Sequence, residues 1–380
     1  MSQETKNQKP KTSIDFANLK IQHNLYKEEI EEAILKVARD CNFIMGSQID
    51  ELEKNLEKFT GSKYAISCSS GTDALLLAMM ALDIQPDDEI ITTPFTFFAT
   101  AETIAFLKAK PVFVDIDEKT YNIDPSKIEE KITSKTKAII PVSLYGQPCD
   151  MDEINQIAKK YNLKVIVDGA QSFGSTYKGI SDSNLGDISC TSFFPAKPLG
   201  CYGDGGALFT NDEKLADKIK SLRLHGQSIR YHHQYIGMGG RLDTIQAAVL
   251  NVKLKYYEKD LKLRQEVASK YTKAIKTKNQ KLETPFISDK CTSAWAQYSI
   301  RVENRTELQT KLQNLGIPTA VHYPMPLHVQ ECFKYLNLKE GDFPISEKVS
   351  KEIMSLPMNP YVTDEEIEFI VGSLAKELKC

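Results

Sequence analysis

The chain has 380 residues, of which 41% are hydrophobic, and its formal net charge at pH 7 is −3. This length and apolar content predict a large domain with a smaller one and exclude a disordered chain. The small negative charge argues against nucleic acid as a partner, because domains that bind nucleic acid present a basic face.

The start of the chain and the cysteines indicate where the protein works. Residues 1–14 are mostly polar, lack the apolar core of a signal peptide and are predicted to form a flexible tail. The longest apolar run, at 74–82, is far shorter than the ~20 residues of a membrane-spanning helix. The 8 cysteines are scattered without a C-x-x-C pair, which is typical of reduced proteins. We therefore expect a cytoplasmic protein without a membrane partner.

Residues 15–256 alternate short apolar segments with amphipathic helices, which predicts a large α/β domain. The predicted strands lie at 64–70, 88–94, 110–117, 136–146, 163–172, 187–194 and 205–212. Strands that are apolar throughout and separated by helices form mainly parallel sheets with helices on both faces. Functional groups gather where such strands end at their carboxyl edge.

The pattern changes after about Tyr256. A charged helix leads into an apolar strand, a helix, a second strand and a closing helix. This order predicts a smaller C-terminal α+β domain at 257–380. The connecting helix could belong to either domain, so the boundary is open by many residues.

The stretch SSGTDALLL changes from strand to helix at Gly71 and Thr72. Free backbone N–H groups and the helix dipole at such a turn attract an anion, typically phosphate. An ordinary helix N-cap explains the same residues equally well. The turn is neither a P-loop nor a dinucleotide-binding turn, because it lacks both G-K-[ST] and G-x-G-x-x-G.

Two charged residues follow strands of the same predicted sheet. Asp168 ends the apolar run KVIVD, where burial would raise its pKa unless a cation faces it. Lys197 lies between Pro195 and Pro198, which restrict the backbone on both sides. A solvated lysine is a poor nucleophile, and removing it from water frees its amine. A helix cap at Asp168 and a surface lysine in a loop are the alternative interpretations.

An anion-binding turn, a carboxylate and a constrained lysine at one sheet edge are what pyridoxal 5′-phosphate (PLP) requires. The phosphate would bind at the helix start, Asp168 would face the pyridinium nitrogen, and Lys197 would form the Schiff base. The sequence therefore predicts PLP as the cofactor, with Lys197 and Asp168 as catalytic residues. No metal site is predicted, because the adjacent His232 and His233 would point to opposite faces of a strand.

Motifs along nearly the whole chain resemble, in order, those of the DegT/DnrJ/EryC1/StrS family of sugar aminotransferases. They include SSGTDAL, TPFTFFATAETI, KPVFVDID, AIIPVSLYGQPCDM, VIVDGAQSFGSTYKG, TSFFPAKPLGCYGDGG, RLDTIQAAVL and GIPTAVHYP. The resemblance implies a fold type I aminotransferase that works as a homodimer with shared active sites. It is strongest to members that aminate UDP-2-acetamido-2-deoxy-3-oxo-glucuronate, with L-glutamate as the expected donor. Such enzymes serve the synthesis of surface polysaccharides such as O-antigen.

The resemblance also implies which residues bind the cofactor. Gly71 and Thr72 match the phosphate-binding turn, and Ser192 supplies a further hydroxyl group to the phosphate. Phe97 matches the aromatic residue that stacks on the cofactor ring. Gln171 matches the side chain near the cofactor's own hydroxyl group.

The expected substrate contacts come from two places. His322 and Tyr323 match residues of the small domain that touch the substrate. Arg241 matches an arginine offered by the neighbouring subunit, where it could form a bidentate pair with a sugar carboxylate. The family usually has Asn, donated across the dimer to the phosphate, where this chain has Gly239, which leaves that contact in doubt.

Several other functions remain possible from the sequence. The sugar could instead be a dTDP-3-oxo-6-deoxyhexose or a nucleotide-linked 4-oxo sugar. A dehydratase of the same fold would carry His at the position of Lys197. A nicotinamide-dependent sugar dehydrogenase would need the missing glycine motif. A non-enzymatic sensor that binds PLP is the last alternative.

Overall fold

The computed structural model describes residues 14–279 and 282–378, so residues 1–13 of the predicted tail lie outside the described part. In chain order the strands are β1 (Tyr64–Cys68), β2 (Glu89–Thr92), β3 (Lys110–Phe113), β4 (Thr136–Ile139), β5 (Lys164–Asp168), β6 (Thr176–Tyr177), β7 (Ile180–Ser181), β8 (Ile188–Ser192), β9 (Gly206–Thr210), β10 (Gln227–Ile229), β11 (His232–His233), β12 (Tyr298–Arg301) and β13 (Ile353–Leu356). The α-helices are α1 (Leu19–Leu25), α2 (Lys27–Asp40), α3 (Ser47–Thr60), α4 (Gly71–Ala81), α5 (Ala99–Phe106), α6 (Met151–Tyr161), α7 (Glu213–Arg223), α8 (Thr244–Lys278), α9 (Arg305–Asn314), α10 (Pro344–Glu352) and α11 (Asp364–Glu377).

A mainly parallel sheet forms the centre of the large domain. Its seven strands lie in the order β1, β9, β8, β5, β4, β2 and β3. All neighbours are parallel except at β9, which runs antiparallel to both β1 and β8. The predicted α/β class is therefore confirmed, because helices such as α4, α5 and α6 connect successive parallel strands.

Helices cover both faces of this sheet, as the continuously apolar strands predicted. Ile166 of β5 belongs to a core that includes residues of α4 and α7. Its neighbours Val165 and Val167 belong to a core on the opposite face that includes α6. Successive side chains of a strand point to opposite faces, so a strand buried on both sides has no polar alternation.

The predicted strand at 136–146 is shorter in the structure. Strand β4 ends at Ile139, and Leu144–Gly146 forms a short 3₁₀ turn. Pro141 lies between them and has no backbone N–H to donate to a neighbouring strand. A single bridge between Val142 and Asp168 is the continuation of the parallel pairing.

Helix α8 runs through the predicted division between the two domains. Ala247 and Leu250, in its first half, pack in a core beside the large sheet. Tyr271 and Ile275, in its second half, pack in a separate core with the antiparallel pair β12–β13 and helices α9 and α11. The domain limits 15–256 and 257–380 therefore stay a prediction, because one helix contributes to both cores.

Three segments leave the sheet at the same edge. Strands β5 and β8 are parallel neighbours with Asp168 opposite Cys190, so Asp168 and the loop to Lys197 leave together. Strand β1 is antiparallel to β9, which is antiparallel to β8, so β1 runs in the same direction as β8. The turn at Gly71 therefore lies at this edge as well.

Candidate active site

Asp168 is a buried carboxylate held by two hydrogen bonds. The Thr100 hydroxyl donates to its Oδ2 at 2.8 Å, and the Ala170 N–H donates to its Oδ1 at 3.2 Å. Because Thr100 gives its only proton to Asp168, Thr96 must donate in the 3.0 Å contact between the two hydroxyls. Burial raises the pKa of Asp168, and these hydrogen bonds and the charge of Lys197 oppose that rise. A cation facing this carboxylate would therefore keep it ionised.

Lys197 lies in the loop that follows β8. Its backbone N–H donates to the carbonyl of Phe194 at 2.8 Å, which closes the turn containing Pro195. Burial lowers the pKa of Lys197, and Asp168 is the charge that opposes this shift. A lysine with a lowered pKa keeps more of its amine neutral and able to attack a carbonyl carbon. The structure thus brings together the two residues that the sequence places after separate strands.

The turn between β1 and α4 is narrow and has free donors. Ser70 caps the helix by accepting the Asp73 N–H at 3.0 Å. The N–H groups of Gly71 and Thr72, in the first turn, have no acceptor within the helix. Gly71 packs on Ser192, since a Cβ at Gly71 would lie 2.7 Å from the Ser192 Cβ. Backbone donors, a hydroxyl group and the absence of a side chain form a cradle suited to phosphate.

Gln171 connects the large domain to the small one. Its Oε1 accepts the backbone N–H of Tyr145 at 2.8 Å, and its Nε2 donates to the Tyr323 hydroxyl at 3.0 Å. The ring centroid of Phe97 lies 5.9 Å from that of Tyr323. Phe97 is 55% exposed, so one face of its ring is available to stack on a planar ligand.

His322 lies beside Tyr323 and is held as a neutral ring. Its Nδ1 is 3.0 Å from the hydroxyl of Ser355, and the Tyr145 hydroxyl donates to its backbone carbonyl. Burial, with a smaller effect from the charge of Lys197, lowers the pKa of His322 to about 4. The two predicted substrate contacts of the small domain therefore lie within reach of the charges of Lys197 and Asp168.

Arg241 is separate from this group within one subunit. Across the described part of the chain, no hydrogen bond or ion pair joins Arg241 to Lys197 or Asp168. It follows a protruding segment in which Tyr231 is 76% exposed and Ile236 is 92% exposed. This placement is consistent with the expectation that Arg241 serves a neighbouring subunit.

Gly239, which stands where the resemblance expects Asn, packs against a histidine. A Cβ at this position would lie 3.1 Å from Cε1 and 3.2 Å from Nε2 of His225. The imidazole ring therefore lies directly against the position that the Cβ of an asparagine would occupy. An asparagine here would require the ring to shift by a few tenths of an ångström.

Sequence reasoning missed several residues that hold the site in place. Thr100 supports Asp168, Tyr145 supports both Gln171 and His322, and Ser355 supports the His322 ring. Each lies far along the chain from its partner. The one signal in the sequence was the four-residue spacing of Thr96 and Thr100, two hydroxyl side chains in a mainly apolar segment.

Comparison with known proteins identifies the family. Residues 24–375 match the DegT/DnrJ/EryC1/StrS aminotransferase family. The chain belongs to this family. Over 361 residues, 95% of this chain and 99% of the relative, it is 50% identical to UDP-2-acetamido-2-deoxy-3-oxo-D-glucuronate aminotransferase of Pseudomonas aeruginosa. It is 42% identical to dTDP-3-amino-3,6-dideoxy-alpha-D-galactopyranose transaminase of Aneurinibacillus thermoaerophilus, over 95% of this chain and 98% of that protein.

Solved structures of aminotransferases have the same fold. A DegT DnrJ EryC1 StrS aminotransferase from Brucella abortus superposes with a TM-score of 0.91 at 39% identity, covering 96% of this chain and 99% of its own. NtdA from Bacillus subtilis, with bound cofactor PMP, gives a TM-score of 0.88 at 31% identity, covering 97% of this chain and 87% of its own. The fold type I assignment is confirmed.

The residues of this aminotransferase fit the cofactor of its family. PLP-dependent aminotransferase chemistry, expected from the sequence, is confirmed by family membership. The Gly71 turn has backbone donors for a phosphate, and a buried carboxylate and a lysine whose pKa is lowered by burial lie at the same sheet edge. The individual residue roles stay predictions.

The described residues contain neither a candidate metal site nor a candidate membrane-spanning helix. No cluster of three or more His, Cys, Asp or Glu side chains among them is arranged to hold a metal ion. No helix within the described ranges is both long and apolar enough to cross a membrane.

Proposed function

We propose that this aminotransferase moves an amino group from L-glutamate to C3 of a nucleotide-linked 3-oxo sugar, UDP-2-acetamido-2-deoxy-3-oxo-glucuronate. The observation that supports transamination is the pairing of a buried carboxylate, Asp168, with a lysine of lowered pKa, Lys197, at the sheet edge that also carries the Gly71 turn. The 50% identical P. aeruginosa enzyme, named for that sugar, supports the choice of substrate. We place the enzyme in the cytoplasm, in the synthesis of a surface polysaccharide such as O-antigen.

Each residue of the proposed site has a distinct task. When bound, PLP supplies an aldehyde that takes up the amino group and a ring that withdraws electrons from the adjacent carbon. Asp168, oriented by Thr100, would hold the proton on the ring nitrogen. The Nζ of Lys197 would hold the cofactor and, once displaced by an amine, carry a proton. The Gly71 turn and Ser192 would fix the phosphate.

We further propose a homodimer in which the partner subunit completes each site. The hairpin β10–β11 and the residues after it expose Ile229, Tyr231 and Ile236, which are 71%, 76% and 92% exposed. Several large apolar side chains exposed in one short segment indicate a surface that another protein covers. Arg241, which follows this segment, would then reach the neighbouring site and pair with the sugar carboxylate.

A dTDP-linked 3-oxo-6-deoxyhexose is the alternative substrate. The observation in its favour is the 42% identity to the transaminase of A. thermoaerophilus, whose named product is a 3-amino-3,6-dideoxy sugar. Such a sugar has no carboxylate at C6. Arg241 would then have no anionic group of the sugar ring to bind.

An amination assay with both sugars tests the proposal. The wild type should release 2-oxoglutarate from glutamate with the UDP-linked uronate. Arg241→Met should lower kcat/KM for the uronate about 10- to 100-fold, because a hydrogen bond to a charged group is worth ~1.5–3 kcal/mol. Turnover of the dTDP-linked 6-deoxy sugar, however slow, should change little.

Two results would contradict the proposal. A wild-type preference for the 6-deoxy sugar would favour the alternative substrate. Turnover of neither sugar, despite the visible absorption of bound PLP, would favour a non-enzymatic role.

A further inference from the structure

A small cavity lies beneath Lys197, between the large and small domains. Its volume is about 190 Å³. Lys197, Pro198 and His322 line one side, and the start of the described chain, near Phe16 and Gln22, lines another. Pockets for drug-sized ligands have volumes of roughly 300–1,000 Å³. The cavity is therefore too small for a nucleotide sugar but large enough for one amino acid.

Arg264 of α8 lines this cavity as a buried cation without an ion-pair partner. It is 6% exposed, and its Nη1 donates to the carbonyl of Trp295 at 2.9 Å. Its Nε–H has no acceptor among the described residues. Throughout the described ranges no carboxylate forms an ion pair with it. An unpaired buried charge is costly, so its retention suggests an anion that is supplied from outside.

The charges around the cavity favour an anion. Asp260, one helical turn from Arg264, is the acidic group whose field reaches the guanidinium. Asp260 also faces Lys253, a buried lysine whose pKa burial lowers to about 8. Its carboxylate already accepts hydrogen bonds from Gln22 at 2.9 Å and Tyr361 at 3.4 Å. The Asp260 carboxylate thus faces two cations, Arg264 and Lys253.

A second unpaired polar group lines the same cavity. The side-chain oxygen of Gln297 is buried and has no hydrogen-bond partner in the part of the chain that is described. It can accept a hydrogen bond from an ammonium group. The neutral ring of His322 adds no charge to the wall. The wall of the cavity therefore includes one cation, Arg264, and one residue with an unpaired hydrogen-bond acceptor, Gln297.

We propose that this cavity binds the amino-acid donor, with Arg264 pairing with a carboxylate of the donor. The inference rests on the proposed aminotransferase function and identifies where the donor's carboxylate would bind. One aldehyde carbon must accept two substrates of very different size. A separate carboxylate pocket beneath Lys197 lets a dicarboxylate such as glutamate bind tightly without contacts shaped for a nucleotide.

The test measures the two half-reactions and the binding of a ligand that cannot react. The full-length, PLP-loaded protein is titrated with glutarate by calorimetry. It is then mixed separately with glutamate and with the amino sugar in single-turnover experiments. Arg264→Gln should weaken glutarate binding and raise the glutamate concentration at half-maximal rate about 10- to 100-fold. The amino-sugar half-reaction should stay within about threefold of wild type, well under the ~1.4 kcal/mol of a tenfold change.

A second variant distinguishes loss of donor binding from a folding defect, which Arg264→Gln alone could also cause. Gln297→Glu places a carboxylate in the cavity that holds the unpaired guanidinium, so the fold should keep its wild-type melting temperature. The new charge should nevertheless repel glutarate and glutamate and raise both constants at least tenfold. Lys262→Met is the control, because Lys262 is an exposed cation of the same helix that does not line the cavity.

The outcomes separate this inference from the proposed function. Unchanged glutarate binding in both cavity variants, or an equal loss in both half-reactions, would overturn the donor pocket. Failure of every sugar in the amination assay would overturn the proposed substrate. It would leave the glutamate half-reaction and its dependence on Arg264 measurable.

Discussion

Replacing Thr100 with valine removes a hydrogen bond to the carboxylate on which the proposed chemistry depends. The Thr100 hydroxyl donates to Asp168 Oδ2 at 2.8 Å and is itself fully buried. Valine has nearly the same shape but cannot donate. The change also leaves the Thr96 hydroxyl, now 3.0 Å from Thr100 Oγ1, without that acceptor.

The size of the effect follows from the charge on the acceptor. A hydrogen bond to an ionised group contributes ~1.5–3 kcal/mol, and one pKa unit corresponds to about 1.36 kcal/mol. Losing the Thr100 donor should therefore raise the pKa of Asp168 by about one to two units, in the same direction as its burial. Because the ionised form is the active one, the acidic limb of kcat/KM should move to higher pH by that amount.

The assay is the pH profile of kcat/KM for Thr100→Val beside Thr103→Val. Thr103 is a buried threonine of the same helix whose hydroxyl donates to the Ala99 carbonyl at 2.9 Å instead of to Asp168. Its variant should keep the wild-type acidic limb. An unchanged limb in Thr100→Val, or an equal shift in both variants, would refute the role given to Asp168.

Two further substitutions test the phosphate cradle from opposite directions. Gly71→Ala would put a Cβ 2.7 Å from the Ser192 Cβ, so the variant should lose PLP at least tenfold more readily on dialysis. The control is Gly372→Ala in α11, where the new Cβ would not clash with any neighbour. This control should retain PLP and gain up to ~1 kcal/mol of stability from helix propensity. Retention of PLP by Gly71→Ala would contradict the cradle. Gly239→Asn should tighten PLP binding about tenfold in the dimer, because one hydrogen bond to a charged group is worth ~1.5 kcal/mol or more. A weaker affinity for PLP would show that the cost of displacing the His225 ring exceeds the gain from the new donor.

The sequence predicted the sheet and the place of the site because both depend on local patterns. Apolar runs separated by helices indicate parallel strands, and parallel strands bring their carboxyl ends to one edge. Asp168, Lys197 and the Gly71 turn could therefore be placed together without knowing any side-chain contact. The family resemblance added the remaining roles, which chemistry at single positions could not supply.

The supporting contacts and the domain boundary could not be predicted. Thr100 and Tyr145 act through partners that only tertiary packing brings near, and neither has an unusual local sequence. In the sequence, Arg264 is one of many charged residues of a charged helix, and its neighbours do not indicate that its side chain is buried. The boundary near Tyr256 was obscured because the exposed face of α8 changes composition in mid-helix, whereas its buried face continues from one core into the other.

Peptide mapping after borohydride reduction of the PLP-loaded protein tests the central claim most directly. Lys197 and Lys253 are both lysines whose pKa is lowered by burial, so the chain contains its own competitor for the cofactor. Mass spectrometry should find the reduced PLP adduct on the peptide that carries Lys197, and Lys197→Ala should abolish the adduct. An adduct on Lys253, or on no lysine, would contradict the account.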